Sequence, residues 1–305
     1  MAYTLDSIPD LSTRVTVVTG ANGGLGLETA KAFAAKGAHV VMAVRDQAKA
    51  ARASARIREA TPDAALELVE LDLASQASVT RAAREIAERH PSIDILVNNA
   101  AVMASPEGRT VDGYETQLGI DHLGHWTFTA LLLPSLLAAP AARIVTVTST
   151  AHHFGRALDP DRPYPPGRYQ AWLAYGNAKL ANYHFGLGLH DGFVAAGVRT
   201  QSLIAHPGLS HSDLQLRTVR EGGGGPLAPF FARAAASTGM APPDGAMPQI
   251  RASTDPAAKG GEFYGPRFVN NGRAVRLRLL RPGRQRAIER LWAFSERETG
   301  IPIFG

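Results

Sequence analysis

Short runs of β-branched and other apolar residues alternate with longer amphipathic stretches along the first two thirds of the chain. The apolar runs are nearly continuous, which is typical of strands buried on both faces of a parallel sheet. They predict strands at Val15–Thr19, Ala38–Val44, Leu66–Leu71, Ile93–Val97, Ile144–Thr148 and Arg199–Ala205. Helical spacing between them predicts helices at Leu25–Lys36, Asp46–Glu59, Gln76–Arg89, Gly113–Leu137 and Trp172–Ala196. This alternation predicts an α/β fold with a doubly wound parallel sheet.

The chain changes character after Ala205. Residues 206–250 are rich in glycine and proline yet hold scattered apolar side chains, which favours a mobile cover over a substrate site rather than a linker. Residues 261–264 predict a last strand, and Arg284–Arg297 predicts a closing helix. We therefore expect a single domain over residues 1–305, with the cover at 206–250 and an arginine-rich segment at 267–305.

The composition excludes several classes of protein. With 305 residues, 45% of them hydrophobic and 19% charged, the chain is not disordered, collagen-like or a coiled coil. It has no cysteine, which excludes a disulfide scaffold, thiolate zinc sites and cysteine catalysis. The amino terminus lacks a basic start followed by an apolar core, and the most apolar stretch, Thr127–Ala139, is shorter than the ~20 residues of a bilayer span. We expect a cytoplasmic protein without a membrane span.

The net charge of +5 comes from one stretch of the chain. Residues 267–290 carry eight arginines and one acid, Glu289; subtracting them from the 32 basic and 27 acidic residues leaves 24 and 26. Such a stretch is either a patch for nucleic acid or anionic membrane, or a solvated surface or subunit contact. Because no DNA-binding motif or row of stacking aromatic residues accompanies it, we favour the second interpretation and expect no nucleic-acid partner.

A glycine-rich turn follows the first predicted strand and opens a helix. Glycines in Thr19–Gly26 permit a tight turn and let the backbone approach a pyrophosphate, which the N–H groups at the start of the helix attract. In this strand–turn–helix context, a dinucleotide site is favoured over a plain turn. Its expected residues are Gly20, Asn22, Gly23, Gly24, Leu25 and Gly26.

Two polar residues at strand ends bear on which dinucleotide binds. Arg45 ends the second predicted strand, where an acid would select NAD; its guanidinium suits the 2′-phosphate of NADP, so NADP(H) is favoured over NAD(H). The alternative is a surface arginine. Asp72, followed by Leu73, either accepts a hydrogen bond from the adenine amino group or is an N-cap or turn acid. Asp46 is expected to cap the next helix.

Three further residues suggest acid–base chemistry. Tyr175 and Lys179 stand four positions apart on a predicted helix and therefore share a face. A tyrosine pKa of about 10 is too high for acid–base work at neutral pH, and a nearby cation lowers it, so we expect Lys179 to lower the pKa of Tyr175. A tyrosine and a lysine at this spacing are common by chance and do not by themselves identify an acid–base site. Ser149, at the carboxyl end of the fifth strand, places a hydroxyl at the same edge of the sheet and strengthens the case.

Together these motifs resemble the short-chain dehydrogenase/reductase family, with its Rossmann fold. The resemblance runs over roughly residues 12–215 and includes Thr19–Gly26, Asp72, Asn98–Ala101, Ser149, Tyr175 with Lys179, and His206–Gly208, in order and at suitable spacing. Asp121–His125 and Lys179–Asn182 are similar to the retinol dehydrogenase and protochlorophyllide reductase-like branch. Many bacterial relatives of that branch act on bulky lipophilic or polyketide-like molecules. Dimers and tetramers are common in the family, so the resemblance is compatible with a homodimer or a homotetramer here.

The resemblance implies a role for each motif. Tyr175 would give a proton to a carbonyl oxygen or take one from an alcohol, and Ser149 would hydrogen-bond that oxygen. Lys179 would bind the nicotinamide ribose and acidify Tyr175. Further residues implied to contact the cofactor are Asn99, Ala100, Pro207, Gly208 and Ser212. The hydride passes between nicotinamide and carbonyl carbon, so the chemistry belongs to the cofactor and the orientation to the protein.

One position departs from the family pattern. Where relatives usually have an asparagine that helps hold a water on a proton relay, this chain has Asp121. A carboxylate there either pairs with Lys179 and raises its pKa, or disturbs the relay; alternatively, Asp121 is only a surface acid. This departure motivates an alternative function, an enzyme of the same fold with non-redox chemistry such as cyclisation, epimerisation or dehydration. A third hypothesis is a non-catalytic protein that senses nucleotides.

The sequence indicates the substrate-binding residues less clearly than the cofactor-binding residues. His153 and Phe154 follow Ser149, and together with Trp172 and Leu214 they are expected to line an apolar pocket for a large hydrophobic substrate; simple core packing is the alternative. The histidines at 122, 125, 152, 153 and 184 lack a carboxylate-rich or H-x-x-x-H helical pattern, so we expect no metal.

Overall fold

The computed structural model describes residues 3–161, 163, 168–210, 218, 222–224, 239–279 and 284–304. Its eight-stranded sheet has the order β3-β2-β1-β4-β5-β6-β7-β8. The strands are β1 Val15–Thr19, β2 His39–Val44, β3 Leu66–Glu70, β4 Ile95–Asn98, β5 Arg143–Val147, β6 Gln201–Ala205, β7 Phe263–Pro266 and β8 Ala274–Leu277. All neighbours pair in parallel except β7 and β8. The predicted doubly wound α/β fold is confirmed, with its carboxyl strand ends along one edge.

The helices cover both faces of this sheet. They are α1 Gly24–Ala34, α2 Gln47–Ala60, α3 Gln76–Arg89, α4 Thr116–Leu118, α5 Gly124–Ala138, α6 Ala171–Ala195, α7 Pro242–Thr254 and α8 Arg284–Thr299. Neighbouring strand residues face opposite clusters: Val17 packs with α3, α5 and α6 residues, whereas Val18 packs with residues of α1, α2 and α7. Burial on both faces explains why the strands are continuously apolar.

Two predicted elements differ from the structure. The helix expected at Gly113–Leu137 begins only at Thr116, and a π-helical turn at Gly119–Leu123 separates α4 from α5. Gly113 itself has φ +88°, a left-handed conformation that ends the preceding turn rather than starting a helix. The π turn shifts the following residues around the helix axis, and it is there that Asp121 lies.

The prediction of a mobile cover over 206–250 is wrong for its last part. Residues from Pro242 onward form α7, whose Ala246 and Ile250 are buried in the core beside α1. Prolines and a glycine inside this helix hide its periodicity in the sequence. Residues 211–217, 219–221 and 225–238 of the predicted cover lie outside the described residues. The predicted last strand is β7, shifted two residues, and the arginine-containing β8 was not predicted.

The arginines of the carboxyl-terminal segment lie mainly on the surface. Arg267, Arg273 and Arg278 are exposed, and Arg276 pairs with Glu262 at 2.8 Å. This placement accords with a solvated surface, while the absence of a nucleic-acid partner stays a prediction. Within the described ranges, no helix combines the length and apolar character needed to cross a bilayer.

Candidate active site

The glycine turn after β1 requires glycine at particular positions. Gly20 and Gly24 have φ of +69° and +50°, which side-chain-bearing residues rarely adopt. A Cβ on Gly26 would meet the Gly20 carbonyl oxygen and lie 2.6 Å from the Asn99 amide nitrogen. The α1 N-cap is Gly23, so no side chain there occupies the first N–H groups of the helix. These groups therefore remain available to an anion.

A groove of about 450 Å³ lies over this turn, at the carboxyl ends of β1 to β4. Most of the predicted cofactor residues line it: Gly20, Asn22, Gly23, Gly24, Leu25, Gly26, Arg45, Asp72, Leu73, Asn99 and Ala100. Ala101, from the Asn98–Ala101 motif, also lines it, whereas sequence reasoning missed Ala43, Val44, Asp46, Lys49, Leu71, Val102 and Ile120. Most of these are neighbours of predicted residues at the same strand ends. Strand topology would have identified those, but Lys49 and Ile120 reach the groove from helical segments.

At the outer end of the groove, Asp46 caps α2 by accepting a hydrogen bond from Lys49 N at 2.8 Å, as predicted. Arg45 is exposed and lines the groove. One oxygen of Asp72 accepts from Ala74 N at 3.0 Å, so the alternative of a turn acid is realised, although Asp72 also faces the groove.

Asn99 is held by a network that sequence reasoning only partly anticipated. Thr19 Oγ1 accepts hydrogen bonds from Asn99 N and Ala100 N, each at 2.9 Å, and Asn99 Nδ2 donates to Thr19 O at 2.8 Å. Gln249 on α7 donates to Asn99 Oδ1 at 3.1 Å and to Thr29 Oγ1 at 2.7 Å. The Gln249 contact depends on α7 packing against α1, so the local sequence contains no signal for it.

Ser149, Tyr175 and Lys179 come together beneath the carboxyl ends of β5 and β6. Ser149 follows β5, accepts a hydrogen bond from Ala151 N, and lies close enough to Tyr175 for its hydroxyl to act to lower the Tyr175 pKa. The Lys179 Nζ lies 5.6 Å from the centre of the Tyr175 ring. Thr148 Oγ1 donates to the Lys179 carbonyl at 2.6 Å, which ties the end of β5 to α6. Tyr175 and Lys179 are both buried.

Asp121 connects this group to the groove. Its Oδ2 lies 2.9 Å from Lys179 Nζ, and its Oδ1 accepts from Val102 N at 2.8 Å. The side chain is completely buried, so the alternative of a surface acid is wrong and the expected pairing with Lys179 is confirmed. The π-helical turn provides this placement because it points the carboxylate toward α6.

The electrostatics of the group differ from expectation. Burial raises the pKa of Asp121 to about 6, against the opposing pull of Lys179. Burial lowers the pKa of Lys179, but the attraction of Asp121 and Tyr175 outweighs it, so that pKa is raised. Burial also raises the pKa of Tyr175; Lys179 lowers it only in part, and Asp121 adds to the rise. The expected lowering of the Tyr175 pKa is therefore wrong for the protein alone, because burial of the phenol outweighs the attraction of Lys179 and the charge of Asp121 adds to the rise.

Two of the predicted substrate residues contact Tyr175 or the residue after it. Trp172 is half-buried, meets the Tyr175 ring edge to face at 6.3 Å, and donates Nε1–H to the Gly224 carbonyl at 3.2 Å. Phe154 is 54% exposed and covers Gly176, where a Cβ would lie 2.7 Å from its ring. His153 is exposed next to it. Leu214, like the cofactor candidate Ser212, lies outside the described residues.

The remaining predicted cofactor residues follow β6. Gly208 has φ +67°, and its N–H donates to His206 Nδ1 at 3.1 Å. Leu209 N donates to Asn270 O at 2.9 Å, so the turn after β7 fixes the Pro207–Gly208 corner. The corner lies at the same sheet edge as Ser149, because β5 and β6 are parallel.

Comparison with known proteins places these features in a family. The chain matches the family model described as short chain dehydrogenase over residues 14–220. It is 35% identical over 268 residues to the short-chain dehydrogenase/reductase prx1 of Penicillium roqueforti, covering 85% of this chain and 74% of that protein. It is 40% identical over 201 residues to retinol dehydrogenase 12 of Homo sapiens, covering 66% of this chain and 63% of that one.

Solved structures agree on the fold. A crystal structure of an uncharacterized protein from Mycobacterium paratuberculosis is 36% identical, with a TM-score of 0.80 and 99% of both chains covered. A short chain dehydrogenase from Shigella flexneri, complexed with NADP, is 22% identical, with a TM-score of 0.62 and coverage of 86% and 99%. One from Burkholderia phymatum in complex with NAD is 23% identical, with a TM-score of 0.62 and coverage of 78% and 85%. The chain belongs to the short-chain dehydrogenase/reductase family, in its retinol dehydrogenase-like branch, and is an oxidoreductase of that family.

Proposed function

We propose that the protein is an NADP(H)-dependent oxidoreductase that interconverts a carbonyl and an alcohol on a bulky hydrophobic substrate, with Tyr175 as general acid and base. One observation carries the proposal: a continuous chain of contacts joins the nucleotide groove to the phenol. Val102 lines the groove and donates to Asp121, Asp121 pairs with Lys179, and Lys179 lies against Tyr175. A substrate oxygen beside Tyr175 is thus adjacent to the inner end of the groove.

The groove fits a nicotinamide dinucleotide. Gly20 and Gly24 have positive φ, and a Cβ on Gly20 or Gly26 would meet neighbouring atoms of the turn or of Asn99 and Ala100, so glycine permits this tight turn; the open start of α1 suits a pyrophosphate. Arg45 and Lys49 line its outer end, where a 2′-phosphate needs cations. Because structures of similar fold hold NADP in one case and NAD in another, the preference for NADP rests on these side chains. When bound, the nicotinamide supplies or accepts the hydride.

The chain's own residues handle the proton. The substrate oxygen accepts hydrogen bonds from the Ser149 and Tyr175 hydroxyls, which orients the carbonyl. Tyr175 gives its proton to that oxygen as negative charge develops, and Lys179 stabilises the phenolate left behind. The raised pKa of Tyr175 keeps the phenol protonated over a wide pH range, which favours the direction of carbonyl reduction.

The surroundings of Tyr175 support an apolar substrate. Trp172 meets the Tyr175 ring edge to face, and the exposed ring of Phe154 covers the neighbouring Gly176. Retinol dehydrogenase 12 acts, by its name, on retinol, which is an apolar alcohol. Aromatic and polyketide-like ketones are therefore the substrate classes to screen. Non-redox chemistry finds no support, because the named relatives are dehydrogenases or reductases.

Replacement of Tyr175 by phenylalanine tests the mechanism. NADPH-dependent reduction of a ketone found in that screen should fall by about 10²- to 10⁴-fold, because the acid is removed. NADPH binding, followed by fluorescence titration, should change less than about twofold. Tyr183→Phe is the matched control: it removes a hydroxyl from the same helix two turns away and should retain wild-type turnover.

Labelled cofactor separates redox from other chemistry. With NADPH carrying deuterium at the transferred position, the label should appear on the carbinol carbon of the product. Product without label, or a Tyr175→Phe enzyme with full turnover, would refute the proposal.

A further inference from the structure

Three potential metal ligands converge far from the active site, at the amino end of the outer strands. His39 is the first residue of β2, Glu67 is the second residue of β3, and His90 is the C-cap of α3. His39 Nε2 lies 3.2 Å and His90 Nε2 lies 2.7 Å from the same oxygen, Oε2 of Glu67. All three ligand atoms lie within 4.8 Å of one another. The parallel strands end at the groove and begin at this cluster, so the two sites are at opposite edges of the sheet.

Arg89 holds the Glu67 carboxylate in place through the oxygen that does not face the histidines. Arg89 Nη1 donates to Glu67 Oε1 at 2.7 Å, which leaves Oε2 directed at the two imidazoles. Arg89 also pairs with Glu85 at 2.9 Å, so its charge is shared between two acids.

The three side chains of the cluster differ in how far they are buried. The side chains of His90 and Glu67 are 13% and 17% exposed, whereas that of His39 is 37% exposed. The imidazole rings lie 4.8 Å apart and are tilted by 51°, so they do not stack, and both Nε2 atoms face the same carboxylate oxygen. An ion bound between these three ligand atoms would have two well-buried ligands, one more exposed ligand in His39, and an open side for water.

The donor set and its spacing suit zinc. Two imidazole nitrogens and one carboxylate oxygen, with water in a fourth position, form a common Zn²⁺ coordination sphere. Ligand atoms around a tetrahedral zinc are about 3.3 Å apart, given bonds of about 2.0 Å. The His39–Glu67 separation already matches, and the His90–Glu67 separation needs a shift of about half an ångström. Harder cations such as Mg²⁺ prefer oxygen ligands and fit less well.

We propose that His39, Glu67 and His90 bind a zinc-class divalent cation that cross-links β2, β3 and α3. These elements lie at one edge of the sheet, because β3 is the end strand of the order formed by the described residues. The ion replaces the hydrogens between the imidazoles and Glu67 and holds three separate parts of the chain together. Its role is structural, since the site lies away from the groove.

Titration of the EDTA-treated full chain with ZnCl₂ and CoCl₂ tests the proposal. Calorimetry should show one Zn²⁺ per chain with micromolar or tighter affinity, and Co²⁺ should give the visible absorption of a four-coordinate site. His90→Asn and His39→Gln should each weaken binding by at least about 100-fold. His190→Gln is the control, because His190 lies on α6 beside Gly260 and Gly261, far along the sheet from β2.

The response to Zn²⁺ of an Arg89→Ala variant distinguishes a metal site from a network of hydrogen bonds. Because Arg89 holds the Glu67 carboxylate in place, its loss should weaken Zn²⁺ binding by about 10-fold or more, whereas a network without metal would bind no Zn²⁺ and would only lose stability. Zinc should raise the Tm of the wild type but not that of His90→Asn. Absence of binding to the wild type at about 100 µM Zn²⁺, or wild-type affinity in both histidine variants, overturns the proposal. NADPH-dependent turnover should persist in EDTA, so either proposal can fail without the other.

Discussion

Asp121 adds one negative charge next to two buried side chains whose protonation matters. It pairs with Lys179 at 2.9 Å and so uses part of the positive charge that would otherwise stabilise a Tyr175 phenolate. An asparagine of the same shape would keep the hydrogen bond from Val102 but remove the charge. We therefore expect the pH range of the proposed acid–base step to depend on this single oxygen-for-nitrogen difference.

Asp121→Asn should lower the pKa of Tyr175, because Lys179 then acts on the phenol without a competing anion. Reduction requires the protonated phenol, which is present below its pKa, so the basic limb of the kcat/KM profile for ketone reduction should move to lower pH. Alcohol oxidation requires the phenolate and should become faster near neutral pH. Steady-state rates from pH 6 to 10 in both directions measure this. If the limbs of these pH profiles stay where they are in the wild type, Asp121 does not affect the pKa of Tyr175.

Arg45→Ala should weaken the use of NADPH and leave that of NADH nearly unchanged. Loss of a charge-assisted contact with the 2′-phosphate costs about 1.5–3 kcal/mol, which raises the KM for NADPH by about 10- to 100-fold. Arg52→Ala, which removes an exposed arginine from α2, is the matched control. An equal effect on both cofactors would mean that Arg45 does not read the phosphate.

At the scale of elements, α8 packs over α6 because α6 has glycine where the two meet. A Cβ on Gly188 would run into the ring of Trp292, and one on Gly192 into the ring of Phe304. Trp292 lies 4.9 Å from the Trp126 ring centre, and Trp126 Nε1 donates to the Ile301 carbonyl at 2.9 Å. The carboxyl-terminal segment is thus part of the core on this face.

Gly188→Ala should destabilise the protein by about 1–3 kcal/mol, although alanine favours a helix, because Trp292 must move. In the Trp292→Ala background the same change should cost much less, since the obstructing ring is gone. Urea denaturation of the four proteins gives the coupling energy. Additive effects would contradict the close contact of these two residues.

Elements differed in how well the sequence predicted them. The strands were predicted almost to their ends because burial on both faces leaves a continuous apolar run. The helix α7 was mistaken for part of a cover, since its prolines and glycine disguise a face that contacts α1. The π-helical turn at Gly119–Leu123 has no periodicity of its own, and its effect is visible only in where Asp121 points.

Across the whole molecule, several histidines are buried in neutral form. Burial lowers the pKa values of His122, His125 and His206 to about 3. Their side chains have hydrogen-bond partners; His122 Nε2, for example, lies 2.8 Å from Ser295 Oγ. In the unfolded chain each titrates near pH 6.5. Below that pH the unfolded state takes up protons that the folded state does not, so stability falls with pH.

The free energy of unfolding should therefore drop by about 1.4 kcal/mol per pH unit for each of these histidines between pH ~6.5 and ~3. His122→Asn should cost stability at pH 7, and the gap to the wild type should narrow at that rate as the pH falls. Urea denaturation at pH 7, 6 and 5 measures it. Ser295→Ala removes the same hydrogen bond without a titrating group, so its cost should not vary with pH. If the difference in unfolding free energy between His122→Asn and the wild type stays constant with pH, His122 is not buried in its neutral form.

The sequence by itself determined the doubly wound sheet, the glycine-rich turn, the placement of Ser149, Tyr175 and Lys179 at one edge, and the arginine at the outer end of the groove. These follow from local causes: strand burial, glycine geometry and helical spacing act between neighbouring residues, and parallel strands bring their carboxyl ends together. Each of these causes is therefore visible in the order of residues along the chain.

Tertiary structure alone decided the charge state of the site. Whether Asp121 faced solvent or Lys179, and whether the Tyr175 pKa rose or fell, depended on burial and on an ion pair between residues 58 positions apart. The contact of Gln249 with Asn99 and the convergence of His39, Glu67 and His90 are of the same kind. Desolvation and Coulomb energies depend on distance in space, which the order of residues along the chain does not specify.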